Sequence, residues 1–178
     1  ALWGVPSVPD TPGKTAVEMF QAAADGEIRA LWIACANPAQ SMPDQATVRR
    51  ALQQAELVVV QEAFATTATC EFADLLLPAT TWGEKTGTVT NSERRISRVR
   101  PAVPAPGSTR HDWVIATEFA QRLEARLRPG APTLFPYSVI DPALGVEAVW
   151  NEHRESTRGR DLDITGMSYA ALEASPLQ

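Results

Sequence analysis

Three stretches hold the side chains that could do chemistry here. They are Cys35-Ala36-Asn37-Pro38, Gln61-Glu62-Ala63-Phe64-Ala65-Thr66-Thr67, and the run from Pro78 through Gly83-Glu84-Lys85 into an arginine-rich segment. Together they offer an amide, a carboxylate, hydroxyls and an ammonium. A carboxylate can accept two hydrogen bonds from the N–H edge of a guanine, and a lysine can meet phosphate. Each such charge-assisted bond is worth roughly 1.5–3 kcal/mol when shielded from water. The set suits a nucleotide. No glycine-rich phosphate fingerprint follows the first predicted strand and there is no P-loop, which disfavours an ordinary NAD or ATP site. Neither a nucleophile elbow nor an ordered Ser/His/Asp set is present. Cys35 and Cys70 are the only cysteines, and His111 and His153 the only histidines. Their spacing does not suit a zinc or iron–sulfur site built by this chain alone, nor a disulfide framework. Buried thiols are the expectation.

Each candidate also has a plainer role. Asn37-Pro38 is the kind of dipeptide that simply ends a strand. Glu62 reads equally as a solvated loop carboxylate, Lys85 as a surface lysine, and the two histidines as surface or structurally bonded groups. Residues 84–100 hold Lys85, Arg94, Arg95, Arg98 and Arg100 against Glu84 and Glu93, a local balance of +3. Such a patch suits solvent, a neighbouring domain or an anionic cofactor.

Loops of this kind need a scaffold, and the apolar periodicity supplies one. Thr15-Ala16-Val17-Glu18 has the form of a capping box and predicts a helix to about Asp25, burying Val17, Phe20 and Ala24 and closed by Gly26. The apolar run Ile28 to Ala34 predicts a strand covered on both faces. A second helix fits Asp44 to Gln54, with Val48, Ala51 and Leu52 inward. Leu57-Val58-Val59-Val60 is the clearest strand, and Leu75-Leu76-Leu77, closed by Pro78, a third. Strands alternating with helices imply an α/β fold, a three-layer α/β/α sandwich on a mostly parallel, Rossmann-like sheet. In such sheets ligands bind beyond the carboxyl ends of the strands, where these three loops leave. Residues 83–108 show no sustained period and read as an irregular segment. Asp112 to Arg128 predicts a helix with Trp113, Ala116, Ala120, Leu123 and Leu127 inward, stopped by Pro129-Gly130. A helical tail over 142–175 follows, with helices at Pro142 to about Arg154 and Ser168 to Ala174.

Composition bounds the rest. The 178 residues, 44% of them apolar, suit one globular domain over 1–178. A net charge of −5 argues against nucleic acid as a partner. No apolar run approaches the length that spans a bilayer. Fourteen prolines are many; those at Pro6, Pro9, Pro12, Pro101, Pro104 and Pro106 read as turns and extended connections. The ends, Ala1 and Gln178, suggest a piece of a longer chain.

Two central motifs carry a family resemblance. Leu57 to Ala68 with Ala73-Asp74-Leu75-Leu76-Leu77-Pro78 resembles a signature of the molybdopterin oxidoreductases, and Trp82-Gly83-Glu84-Lys85 through Asn91-Ser92-Glu93-Arg94-Arg95 is similar to the segment that follows it there. Ala34 to Ser41 with Pro43-Asp44 resembles the family's earlier Asn-Pro loop. The flanks, Trp3 to Phe20 and Asn151-Glu152-His153-Arg154 with Gly159 to Ile164, resemble its assimilatory nitrate reductases most. The resemblance covers essentially the whole chain.

That resemblance implies a domain holding part of a Mo-bis(molybdopterin guanine dinucleotide) cofactor. By it, Asn37 lies against the cofactor and Gln61 and Glu62 occupy the strand-end pair. Lys85 binds the nucleotide, and Asp112 makes a second acidic contact. Relatives often have an aspartate where Glu62 stands; the extra methylene keeps the charge and moves the acceptor. The [4Fe-4S] cysteines and the molybdenum ligand of the family fall outside this stretch, so the chain alone is expected to be inactive. The implied partners are the other domains of the same subunit, nitrate, and an electron donor protein or domain, in the cytoplasm. A formate dehydrogenase of the same family and a free-standing, non-catalytic binding module are the alternatives.

Overall fold

Thr15 opens the first helix, α1 (Ala16–Ala24): its hydroxyl accepts from the Glu18 amide, and the Glu18 carboxylate returns to the Thr15 amide at 2.7 Å. Gly26 closes it with φ 81°, a conformation open to glycine at no steric cost. The computed structural model describes residues 3–5 and 7–175; Pro6, read above as a turn, lies outside them. Strand β1 (Ala30–Ala34) leads through α2 (Pro38–Ser41) and α3 (Gln45–Gln54) to β2 (Leu57–Glu62). A 3-10 turn at Ala68–Phe72 then precedes β3 (Leu75–Pro78). The sheet runs β1-β2-β3, parallel throughout, with Ala34 opposite Gln61 and Glu62 opposite Pro78. The α/β class and the parallel sheet are as the alternation of elements predicts.

One face of this sheet is packed. Leu31 and Ile33 of β1 and Val58 and Val60 of β2 meet Phe20, Ala23 and Ala24 of α1 and Val48, Ala51 and Leu52 of α3. Burying each large aliphatic or aromatic side chain contributes about 1.5–3 kcal/mol. The alternate face is only partly covered, contrary to a β1 covered on both sides: Trp32 is 39% exposed, and Leu57 and Leu75 are exposed too. Val17 also differs from expectation, standing exposed on α1. Only one thiol is buried. Cys70 sits in the core, whereas Cys35 is exposed at φ 55°, where the chain turns sharply out of β1.

The chain packs as two compact units. The sheet unit comprises Val8–Ala79 with Gly107–Thr109; the other comprises Ala1–Ser7, Thr80–Pro106 and Arg110–Gln178. The second unit builds its own core from Ile96, Trp150 and Leu172, with Ile164, Met167 and Tyr169 against them. Its helices are α4 (Asp112–Leu127), α5 (Pro142–Ser156) and α6 (Tyr169–Ala174), close to the predicted spans.

Residues 83–108 are not irregular throughout. They contain an antiparallel hairpin of β4 (Gly87–Thr90) and β5 (Ile96–Val99). Asn91 turns it, its side-chain oxygen accepting from the Glu93 and Arg95 amides at 3.0 Å each. Arg98 pins its base, donating to Thr86 Oγ1 and to the Gly87 and Val99 carbonyls at 2.7–2.8 Å. Its guanidinium lies 3.7 Å over the Tyr169 ring. The strands are short and their apolar positions are interrupted by Ser97 and Arg98, so no run of period two stands out. On α4 the buried residues are Val114, Ile115 and Thr117, while Ala116, Leu123 and Leu127 of the predicted inward set are exposed. This helix carries apolar residues on two sides, and packing chose the second.

Candidate functional site

The carboxyl ends of β1 and β2 position three of the predicted site residues. Asn37 follows β1 and precedes Pro38, whose ring starts α2. The Asn37 Oδ1 accepts from the Thr69 amide at 3.1 Å and the Thr69 hydroxyl at 2.7 Å. Its Nδ2 donates to Gln40 Oε1 at 2.9 Å. Asn37 thus ties the loop after β1 to the turn before β3. Thr69, fully buried, also accepts from the Ala39 amide at 3.1 Å, completing a small network. Nothing in the sequence around Thr69 distinguishes it from the other threonines nearby.

Gln61 is buried, and its side-chain oxygen accepts from the Trp32 indole at 3.2 Å, between neighbouring strands. Glu62 is partly exposed and its carboxylate folds over its own loop. Oε1 accepts from the Ala63 amide at 2.7 Å and the Phe64 amide at 3.4 Å. Both bonds fall on Oε1, so the carboxylate is fixed by one oxygen while Oε2 remains outside the turn. A held, charged acceptor at a strand end suits an N–H-rich edge such as guanine's.

The other two predicted residues lie in the second unit and meet each other. Lys85 Nζ stands 3.0 Å from Asp112 Oδ2, with the two side chains 21% and 29% exposed. Lys85 follows a 3-10 turn, Trp82–Glu84, and Asp112 is the first residue of α4. Twenty-seven residues separate them, so spacing alone could not have paired them. Next to Asp112, His111 has a buried Nδ1 with no hydrogen-bond partner among the described residues. Burial, and then the Lys85 ammonium, hold its imidazole below the usual histidine range, although Asp112 opposes this. Trp82, 62% exposed, has the Lys85 ammonium 4.9 Å from its ring centre. The sequence reading missed Trp82; a tryptophan three residues before a lysine on one tight turn was the available signal. Among the described residues no group of three or more acidic, histidine or cysteine side chains could hold a metal ion.

Residues 4–122 match the molybdopterin oxidoreductase family. The chain belongs to that family. A nitrate reductase of Klebsiella oxytoca is 48% identical over 97% of this molybdopterin oxidoreductase chain, which covers 19% of the relative. The assimilatory nitrate reductase catalytic subunit of Bacillus subtilis is 35% identical over 90%, covering 21% of that protein. The chain thus spans about a fifth of the length of these relatives. In fold it is similar to acetylene hydratase from Pelobacter acetylenicus, with a TM-score of 0.67 over 90% of this chain and 20% of that one, at 20% identity. No described helix is long and apolar enough to cross a membrane.

Proposed function

We propose that this chain is a cofactor-binding part of a molybdenum nitrate reductase, and that it holds guanine dinucleotide portions of a Mo-bis(molybdopterin guanine dinucleotide) cofactor. The observation that carries this reading is its likeness to nitrate reductases along nearly its whole length. The residues present fit such a group chemically. Glu62 offers a fixed carboxylate oxygen for a guanine N–H edge, with buried Gln61 setting the strand end beside it. Asn37 gives one amide N–H to Gln40, and its second is the donor proposed to face the cofactor. Lys85 supplies an ammonium for phosphate, and Asp112 orients it while serving as a second acidic contact. The same proposal treats residues 1–178 as one cofactor-binding domain of a cytoplasmic enzyme, working with other domains of its subunit, a [4Fe-4S] cluster held elsewhere in the subunit and an electron donor.

With the cofactor bound, the chemistry available is two-electron oxygen-atom transfer, in which nitrate takes up two electrons and two protons to give nitrite and water. This chain's residues bind and orient; none acts on nitrate, and the chain alone is inactive. The test uses the complete polypeptide carrying this sequence. Glu62→Ala and Lys85→Met should lower its molybdenum and guanine-nucleotide content and its nitrate turnover together. Formate oxidation without nitrate reduction would move the substrate assignment to a formate dehydrogenase, and full cofactor content in both variants would overturn the binding roles.

A further inference from the structure

The turn bearing Trp82 is fixed from both sides. Thr81 and Glu84 form a capping box across it, and the Gly83 carbonyl accepts from the Ala102 and Val103 amides at 2.7 and 3.0 Å. On so rigid a turn an indole left 62% exposed adds little to the core. What it does touch is Lys85, whose ammonium sits 4.9 Å from the ring centre and 3.0 Å from the Asp112 carboxylate. A flexible four-carbon side chain is thereby held at its charged end by two groups of different kinds, an aromatic face and an anion.

We propose that Trp82 is a positioning residue that, with Asp112, clamps the Lys85 ammonium so that one of its two remaining N–H donors is presented to a phosphate oxygen of a nucleoside diphosphate. This rests on the nucleotide-binding reading above and extends it to a residue that makes no hydrogen bond to the nucleotide itself. An ammonium has three donors. Asp112 takes one, and the ring restricts how the head can swing. Without the ring, Lys85 keeps its charge and its carboxylate partner but samples more rotamers, and binding must then order them.

The test is a double-mutant cycle on the 178-residue chain with GDP as the probe, read by titration calorimetry. Trp82→Ala should weaken GDP about 2- to 5-fold, the range that a cation–π contact at an exposed site supports. Trp82→Phe, which keeps a ring, should recover most of it. In a Lys85→Met background, Trp82→Ala should have no further effect. An equal loss in both backgrounds, or none with Lys85 present, overturns the positioning role. Lys85→Met leaving GDP affinity unchanged would instead remove the nucleotide reading. The two failures separate because a ligand-free signal reports the clamp. Lys85 ε-methylene protons should be ring-current shifted upfield in the native chain and return to ordinary values in Trp82→Ala, and their lack of shift in the native chain overturns the clamp by itself.

Discussion

Replacing Asn37 by alanine removes one oxygen that two donors of a fully buried threonine depend on. The Thr69 amide and hydroxyl reach that oxygen at 3.1 and 2.7 Å. Neither has a water-filled surface to turn to, since Thr69 is 0% exposed. A buried donor left without an acceptor costs about 1–3 kcal/mol, and the hydroxyl retains the Ala39 amide as a donor to it, so we expect Asn37→Ala to lose about 2–4 kcal/mol. Asn37→Asp keeps the oxygen. It loses only the bond to Gln40, which is exposed and free to bond water, so its cost should stay below about 1 kcal/mol. Urea unfolding followed by far-ultraviolet circular dichroism measures both, with the midpoint shifting and the slope unchanged. If alanine costs under about 0.5 kcal/mol, or if aspartate costs as much as alanine, Asn37 does not hold this loop in the way described.

Four further outcomes follow from the geometry. A methyl group on Gly145 would lie 2.2 Å from the Ser138 carbonyl and 2.3 Å from the Trp113 ring, so Gly145→Ala should destabilise by about 2 kcal/mol net of its helix propensity, while Gly166→Ala, with open space around it, should be near neutral in the same thermal melt. Arg98→Met should cost about 2–3 kcal/mol in urea, because it strips three bonds and a stacked cation from the hairpin base; a neutral result would make the hairpin independent of Arg98. His111 has a depressed folded-state pKa, so the unfolded chain takes up its proton first: stability should fall as pH drops below about 6.5 and level off below the folded value, and His111→Gln should flatten that slope in melts taken from pH 7.5 downward. Amide exchange should be slower in β4 and β5 than over residues 103–108, where no strand forms; equal rates would deny the hairpin.

The sheet unit was largely legible because its signals are local and strong. A capping box at Thr15, the β-branched run at Leu57 and the leucines closed by Pro78 each fix an element within a few residues. Burial was less so. α4 carries two apolar stripes, and periodicity cannot say which one meets the rest of its unit. The hairpin escaped notice because Ser97 and Arg98 interrupt its alternation, and Arg98 is stabilised by Tyr169, far along the chain. Contacts such as Ile96 with Trp150 and Leu172 are announced by no local pattern. For the candidate site, loop positions followed from strand ends, yet the Lys85–Asp112 partnership and the Asn37–Thr69 bonds needed tertiary structure. Roles toward the cofactor came from the family resemblance, since residue spacing stops at a nucleotide-suited edge.

Amide chemical-shift mapping of the isotopically labelled chain, titrated with GDP and separately with ADP, tests guanine-nucleotide binding most directly. GDP should move the amides of Glu62, Ala63 and Phe64 in a saturable way, and ADP should leave that loop unmoved. Saturable shifts confined to other surfaces, or identical responses to both nucleotides, would contradict it.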